Sequence, residues 1–461
     1  MNHGRRNVLG MALLGMIDPL MAATPASGAS GAAAAAMPAA LKTRLDRELA
    51  AIVANPACEL ASLSVLAIRD GRIAYEARFG RRFIGSHGQP DKPVDARTLF
   101  RIASISKMMT TLGLMRLVED GKLDLDTDVS AYLGFLLRNP RFPDQAIALR
   151  HLLTHTSSLR DEAGYSWGVD TALKDVLVPG SRLHGEGKMW ASNAGPGAYF
   201  TYCNLGWGVI GTIMERVTGE RFDRLMRRLL VEPLGLHAGY NPAELPPEDI
   251  ANIATLYRKR TVDTEVWDAN GPWIAQVDDY SKAPPAPPPG IERYVIGANA
   301  TPFSPTGGMR ISAHDMGVVM RMLMNGGVHG GRRILGQATL DRMFSRQWTY
   351  QEETSGKGAN GDSLDGLFNC WGLGNEQFPD DPATHTRLVE GGGFAAAGHL
   401  GDAYGLMSVF AADLKNRNGM VALVGGTSTD PLAYKGTYSS LARFQEQILT
   451  AMHRRAILVR A

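Results

Sequence analysis

The stretch Leu63-Ser64-Val65-Leu66-Ala67-Ile68-Arg69-Asp70-Gly71-Arg72-Ile73-Ala74-Tyr75-Glu76-Ala77-Arg78-Phe79 is two strand-like runs joined by Asp-Gly, the two-residue signal of a tight antiparallel hairpin. A helical pattern over residues 41–53 precedes it, closed by Pro56. The other end of the chain mirrors this arrangement. Residues 404–412 and 420–424 read as strands around turn-forming residues 414–419, and residues 439–452 as an amphipathic helix. Both ends therefore predict one antiparallel sheet covered by terminal helices.

Between them the pattern changes to helix, over residues 105–118, 149–155, 205–217 and 222–230. Five prolines within residues 284–289 exclude helix and central strand there. The expected fold is α+β: a three-layer α/β/α unit from residues 41–100 and 291–461, with a mainly helical domain, residues 101–290, inserted and ending in the Pro-rich loop. A chain of 461 residues, 44% hydrophobic, has ample material for such cores. No repeat of solenoid or propeller length is apparent.

A net charge of +2 without a basic block gives nucleic acid no electrostatic footprint. Cys58, Cys203 and Cys370 lack C-x-x-C spacing and form no disulfide framework. Past the first 25 residues no apolar run reaches membrane-spanning length. Arg5-Arg6, the apolar residues 8–17 and the small residues from Ala22 outline an export signal similar to a twin-arginine leader, although Gly4, Val8 and Asp18-Pro19 depart from that pattern. Residues 1–40 are thus expected to be leader and flexible spacer, and the mature chain periplasmic or secreted.

Ser104-Ile105-Ser106-Lys107 follows the strand-like residues 99–102 and opens a helix, so Ser104 and Lys107 share one helix face. A serine hydroxyl becomes a nucleophile when a neighbouring base takes its proton, and a lysine with a lowered pKa is such a base. The helix N-terminus adds an N–H and a positive dipole for a developing oxyanion. Lys107 alone among the lysines has serine three residues before it. The bland alternative is an N-cap serine and a solvated lysine.

Tyr202-Cys203-Asn204 offers a phenol and an amide on one side, as proton shuttle and substrate anchor; neighbouring cations would have to lower the phenol's pKa for it to act as a base. Gly398-His399-Leu400-Gly401 places a cationic side chain between glycines that permit close ligand approach. Otherwise these are a packed aromatic, a helix cap and a loop histidine. His151 and His155 have i, i+4 spacing, but without the Glu of H-E-x-x-H no metal is expected, and no cofactor motif is present.

In chain order, S-x-x-K at Ser104, Y-x-N at Tyr202 and H-x-G at His399 resemble the three motifs of the serine β-lactamase and penicillin-recognising superfamily. The segments Phe100-Arg101-Ile102-Ala103-Ser104, His151-Leu152-Leu153-Thr154-His155-Thr156-Ser157, Val217-Thr218-Gly219, Pro233-Leu234-Gly235-Leu236 and Gly307-Gly308-Met309 are similar to landmarks of that superfamily, within which the chain resembles the class C β-lactamase branch, which includes D-alanyl carboxypeptidases, D-aminopeptidases and β-lactamase-like esterases. The resemblance implies an acyl-enzyme on Ser104, Lys107 as general base, Tyr202 as proton carrier, and Asn204, His399 and Gly401 as substrate contacts. It also implies an oxyanion hole made by the N–H groups of Ser104 and Asp402. Histidine where many members carry lysine weakens a carboxylate anchor, and Asp402, facing inward, would repel acidic substrates. The expected activity is hydrolysis of a small ester, amide or peptide without a cofactor. The alternatives are a slowly acylating or non-catalytic penicillin-fold sensor or scaffold, and an acyltransferase; the oligomeric state is left open.

Overall fold

Asp70 and Gly71 both adopt positive φ, 52° and 77°, the backbone of the tight turn expected of Asp-Gly, and the hairpin closes with Arg69 opposite Arg72. A computed structural model describes residues 37–86, 88–352 and 359–459. The leader, and most of the spacer, lies outside them. Strands β1 (Ser62–Arg69), β2 (Arg72–Phe83), β3 (Lys92–Pro93), β4 (Trp348–Thr349), β5 (Cys370–Trp371), β6 (Glu376–Phe378), β7 (Ala396–Ala403), β8 (Leu406–Asp413) and β9 (Asn418–Val424) form an antiparallel sheet in the order β4-β5-β6-β7-β8-β9-β1-β2-β3. The two ends of the chain meet where β9 pairs with β1, Val424 opposite Leu63.

Helix α1 (Ala39–Val53) and the C-terminal α5 (Arg443–Met452) share one apolar core with a face of this sheet through Leu45, Leu49, Val65, Val409, Ile448 and Leu449. The opposite face joins a larger core containing α2 (Ile105–Glu119), α3 (Leu205–Thr218) and α4 (Ala313–Met324). The arrangement is the α+β, three-layer architecture expected. The strands of this sheet come only from residues 62–93 and 348–424. Helix α2 is buried nearly all round, as befits a helix inside a core rather than on its surface.

Among the local readings that differ, three bear on the site. The strand expected over residues 99–102 shrinks to Phe100–Arg101 and pairs outside the large sheet, with Arg310–Ile311, which also pairs Ala238–Gly239. The helix expected over residues 149–155 ends at Leu153, and His155 has φ 56°. Residues 404–412 are not continuous strand. Tyr404 and Gly405, φ 56° and 87°, turn the chain between β7 and β8, so His399 lies on a strand rather than in a loop. Among the described residues no helix is long and apolar enough to cross a membrane.

Candidate active site

Ser104 sits where the Phe100–Arg101 strand gives way to α2. The preceding Ala103 is held at φ 45°, a strained conformation for a residue with a Cβ. Ser104 makes no capping hydrogen bond, and Lys107, one turn on, is 0% exposed. The bland alternative of a cap and a solvated lysine therefore fails on both counts. Lys107 Nζ lies 3.0 Å from Ser104 Oγ, 2.8 Å from Asn204 Oδ1 and 3.1 Å from the Thr306 carbonyl. Burial lowers the Lys107 pKa to about 7, against the opposing pull of Asp161. A neutral amine has two N–H bonds and one lone pair. With the N–H groups on the Asn204 amide and the Thr306 carbonyl, the lone pair is left for the serine proton.

Tyr202 and Asn204 precede and open α3. The Lys107 amine lies 4.8 Å from the centre of the Tyr202 ring, which stacks on Phe368 at 4.8 Å. Burial pushes the phenol above its ordinary pKa although Ser104 favours the ionised form, so Tyr202 is a neutral hydroxyl here. The lowering by cations that a base role would need does not occur: the nearby lysine is itself about half neutral at pH 7, and desolvation wins.

Asn204 is oriented by Asp161, which spacing did not single out. One Asp161 oxygen accepts from the Asn204 N–H at 2.8 Å and from its side-chain amide at 2.9 Å; the other accepts from the Leu205 N–H at 3.0 Å and the Cys203 thiol at 3.3 Å. That carboxylate satisfies first-turn donors of α3 and turns Asn204 Oδ1 toward Lys107 and Thr306, whose hydroxyl also donates to it at 2.8 Å. A lone acidic residue in a loop carries no periodic signal. Cys203 is a buried free thiol, as are Cys58 and Cys370.

Spacing marks His155 as one of a histidine pair, and the resemblance sets it in a landmark segment, but neither gives it a contact. In the structure His151 accepts the Ala148 N–H through its own Nδ1, whereas His155 turns inward, accepts the Cys203 N–H at 2.9 Å and packs 4.4 Å from the Tyr202 ring. The two histidines serve different neighbours, because the helix ends between them.

His399 projects from β7 on the face of its cross-strand partner Phe410, toward Trp371 and Tyr202 at ring distances of 5.4 and 6.5 Å. Burial, assisted by Lys107, lowers its pKa to about 3. The cation expected at this position is thus a neutral imidazole. Gly401, on the same face, has no room for a side chain: an added Cβ would overlap the Ser408 hydroxyl and the Ile102 carbonyl.

By strand alternation Asp402 points to the opposite face, with Leu400. There it lines a cavity of about 630 Å³ together with Arg258 and Trp267. Its carboxylate does not face Ser104, which corrects the inward-facing possibility. The pairing of β6 with β7 stops at Gly398, leaving one edge of residues 399–403 without a strand partner from β6. The buried Glu376, its carboxyl pushed well above the usual carboxylate range by burial against the opposing pull of the Leu400 N–H, occupies that edge.

Known proteins resemble this chain in sequence and in fold. The Beta-lactamase family model matches residues 43–442. Esterase EstB of Burkholderia gladioli is 33% identical over 201 residues, 39% of this chain and 49% of that protein. Penicillin-binding protein 4* of Bacillus subtilis is 30% identical over 210 residues, 42% of this chain and 41% of that protein. The matches thus span less than half the length of these relatives. The D-amino acid amidase of Ochrobactrum anthropi, solved with D-phenylalanine, superimposes with a TM-score of 0.59 at 19% identity, covering 89% of this chain and 99% of that one. The family match runs across nearly the whole described chain, and the conclusion it carries is that the protein belongs to the Beta-lactamase family.

Proposed function

We propose that the protein is an exported serine hydrolase that cleaves small esters or amides through an acyl-enzyme on Ser104. The observation that carries this is the Lys107 amine, fully buried and bonded to Ser104 Oγ, Asn204 Oδ1 and the Thr306 carbonyl. In the first step Ser104 Oγ attacks the substrate carbonyl carbon while its proton passes to Lys107 Nζ. The N–H groups of Ser104 and Asp402 receive the oxyanion; losing one such donor costs about 10²–10³ in rate. The tetrahedral intermediate expels the alcohol or amine, which takes its proton from the Tyr202 hydroxyl. Water then attacks the acyl carbon by the same path in reverse and frees Ser104.

Ester or D-amino-acid peptidase activity is favoured over efficient β-lactam hydrolysis, since His399 stands neutral where a carboxylate would need a cation. The decisive experiment treats the wild type and Ser104→Ala with a 4-nitrophenyl ester and a chromogenic β-lactam, and follows the intact mass. A transient adduct on Ser104 with ester turnover supports the proposal. A stable adduct points to a slow sensor, and equal turnover by both proteins removes Ser104 from the chemistry. Export is tested by fractionating cells that carry Arg5→Lys, Arg6→Lys: retention in the cytoplasm is expected.

A further inference from the structure

The third motif carries a feature that a lysine there would not have. His399 Nδ1 lies 2.6 Å from the Leu400 carbonyl oxygen. A carbonyl can only accept, so Nδ1 carries the hydrogen, and in the neutral ring Nε2 is left as a lone pair. That Nε2 is buried and has no hydrogen-bond partner among the described residues. A buried acceptor left unpaired costs about 1–3 kcal/mol, a deficit that a bound substrate can remove.

The groups around the ring are Trp371, Tyr202 and Lys107, and Glu376, 1% exposed, lies on β6 beside β7, opposite Gly398. Lys107 is the one amine among them, and its nitrogen is already engaged by Ser104, Asn204 and Thr306. Burial pushes the Glu376 carboxyl well above the usual carboxylate range, against the opposing pull of the Leu400 N–H, so it adds no negative charge here. A carboxylate arriving at the ring would meet the Nε2 lone pair, with no free cation to hold it. An amide N–H or a hydroxyl would meet an acceptor ready to receive it.

Resting on the acyl-enzyme reading above, we propose that the His399 end of the site selects substrates that are uncharged there and carry an N–H or O–H donor, which bonds to His399 Nε2. His399 is then a specificity-determining residue acting as an acceptor, not an anion anchor. Burial supports this by keeping the ring neutral far below physiological pH.

The test uses two isosteric esters, 4-nitrophenyl adipamate and 4-nitrophenyl hydrogen adipate, which differ only in a terminal amide or carboxylate. The wild type should prefer the amide by at least tenfold in kcat/KM, and His399→Lys should shift that ratio at least tenfold toward the acid. A wild-type ratio within twofold, or one favouring the acid, overturns the proposal. The ring itself is read independently of turnover by long-range ¹H–¹⁵N spectra of histidine-labelled wild type, with His399→Gln identifying the signal. The Nδ1–H neutral tautomer should persist from pH 8 to pH 5; a doubly protonated ring at pH 6 overturns the proposal even if His399→Lys fails to fold. Should neither ester be consumed, the hydrolase reading falls, and the tautomer alone decides whether His399 is an acceptor.

Discussion

Asp161 and Asn204 are joined twice through a single carboxylate oxygen, which accepts both the backbone N–H and the side-chain amide of Asn204. The asparagine beside Lys107 is thereby held with its carbonyl toward the amine, so the lysine's setting depends on a residue that does not touch it. Asp161→Ala strips acceptors from the Asn204 and Leu205 N–H groups and should cost about 2–3 kcal/mol in urea unfolding. Asp161→Asn should lower kcat/KM about ten- to a hundredfold by misplacing Asn204. Because Asp161 raises the Lys107 pKa, removing its charge should also move the acidic limb of the kcat/KM profile to lower pH. A merely structural role would leave that limb in place.

Lys107 should set that acidic limb in the wild type, near pH 7, with activity rising as the amine loses its proton. Lys107→Met should reduce ester turnover about a thousandfold while raising Tm. The sign follows from linkage. The folded pKa of about 7 lies below the ordinary value of 10.5, so between them the unfolded chain binds the extra proton and wild-type stability climbs with pH. The advantage of Lys107→Met is therefore expected to be largest below pH 7 and to shrink toward pH 10, as thermal melts at several pH values would show.

Tyr202→Phe should reduce kcat about 10²–10³-fold on substrates whose leaving group needs a proton, and far less on 4-nitrophenyl esters, whose leaving group departs as the anion. Since burial pushes the phenol above its ordinary pKa, the wild type should show no basic limb from Tyr202 up to pH 9. A limb between pH 7 and 9 that vanishes in Tyr202→Phe would mean that the phenolate is the base.

Gly401→Ala should lower kcat/KM about a hundredfold, because the added methyl overlaps the carbonyl of Ile102, two residues before Ser104, and a backbone atom cannot rotate away. Gly168→Ala, where nothing lies within 4 Å, is the matched control and should match the wild type in rate and Tm.

The local chemistry of the chain was enough to determine the first hairpin with its Asp-Gly turn, the strand at residues 420–424 and the one-face relation of Ser104 to Lys107, because turn geometry and residue spacing are short-range properties. The order of its motifs was enough to point to the family. Contacts between residues far apart in the chain decided the rest. Burial depends on what packs around a side chain, so Lys107 as a half-neutral amine, Tyr202 as a neutral phenol and His399 as a neutral ring appear only once Trp371, Phe368 and the two histidines close around them. Asp161 and Thr306 reach Asn204 from 43 and 102 residues away, a distance over which no periodicity carries information. The outward turn of Asp402 needed the register of β7 against β8, since a shift of one residue would have put its carboxylate on the Ser104 face.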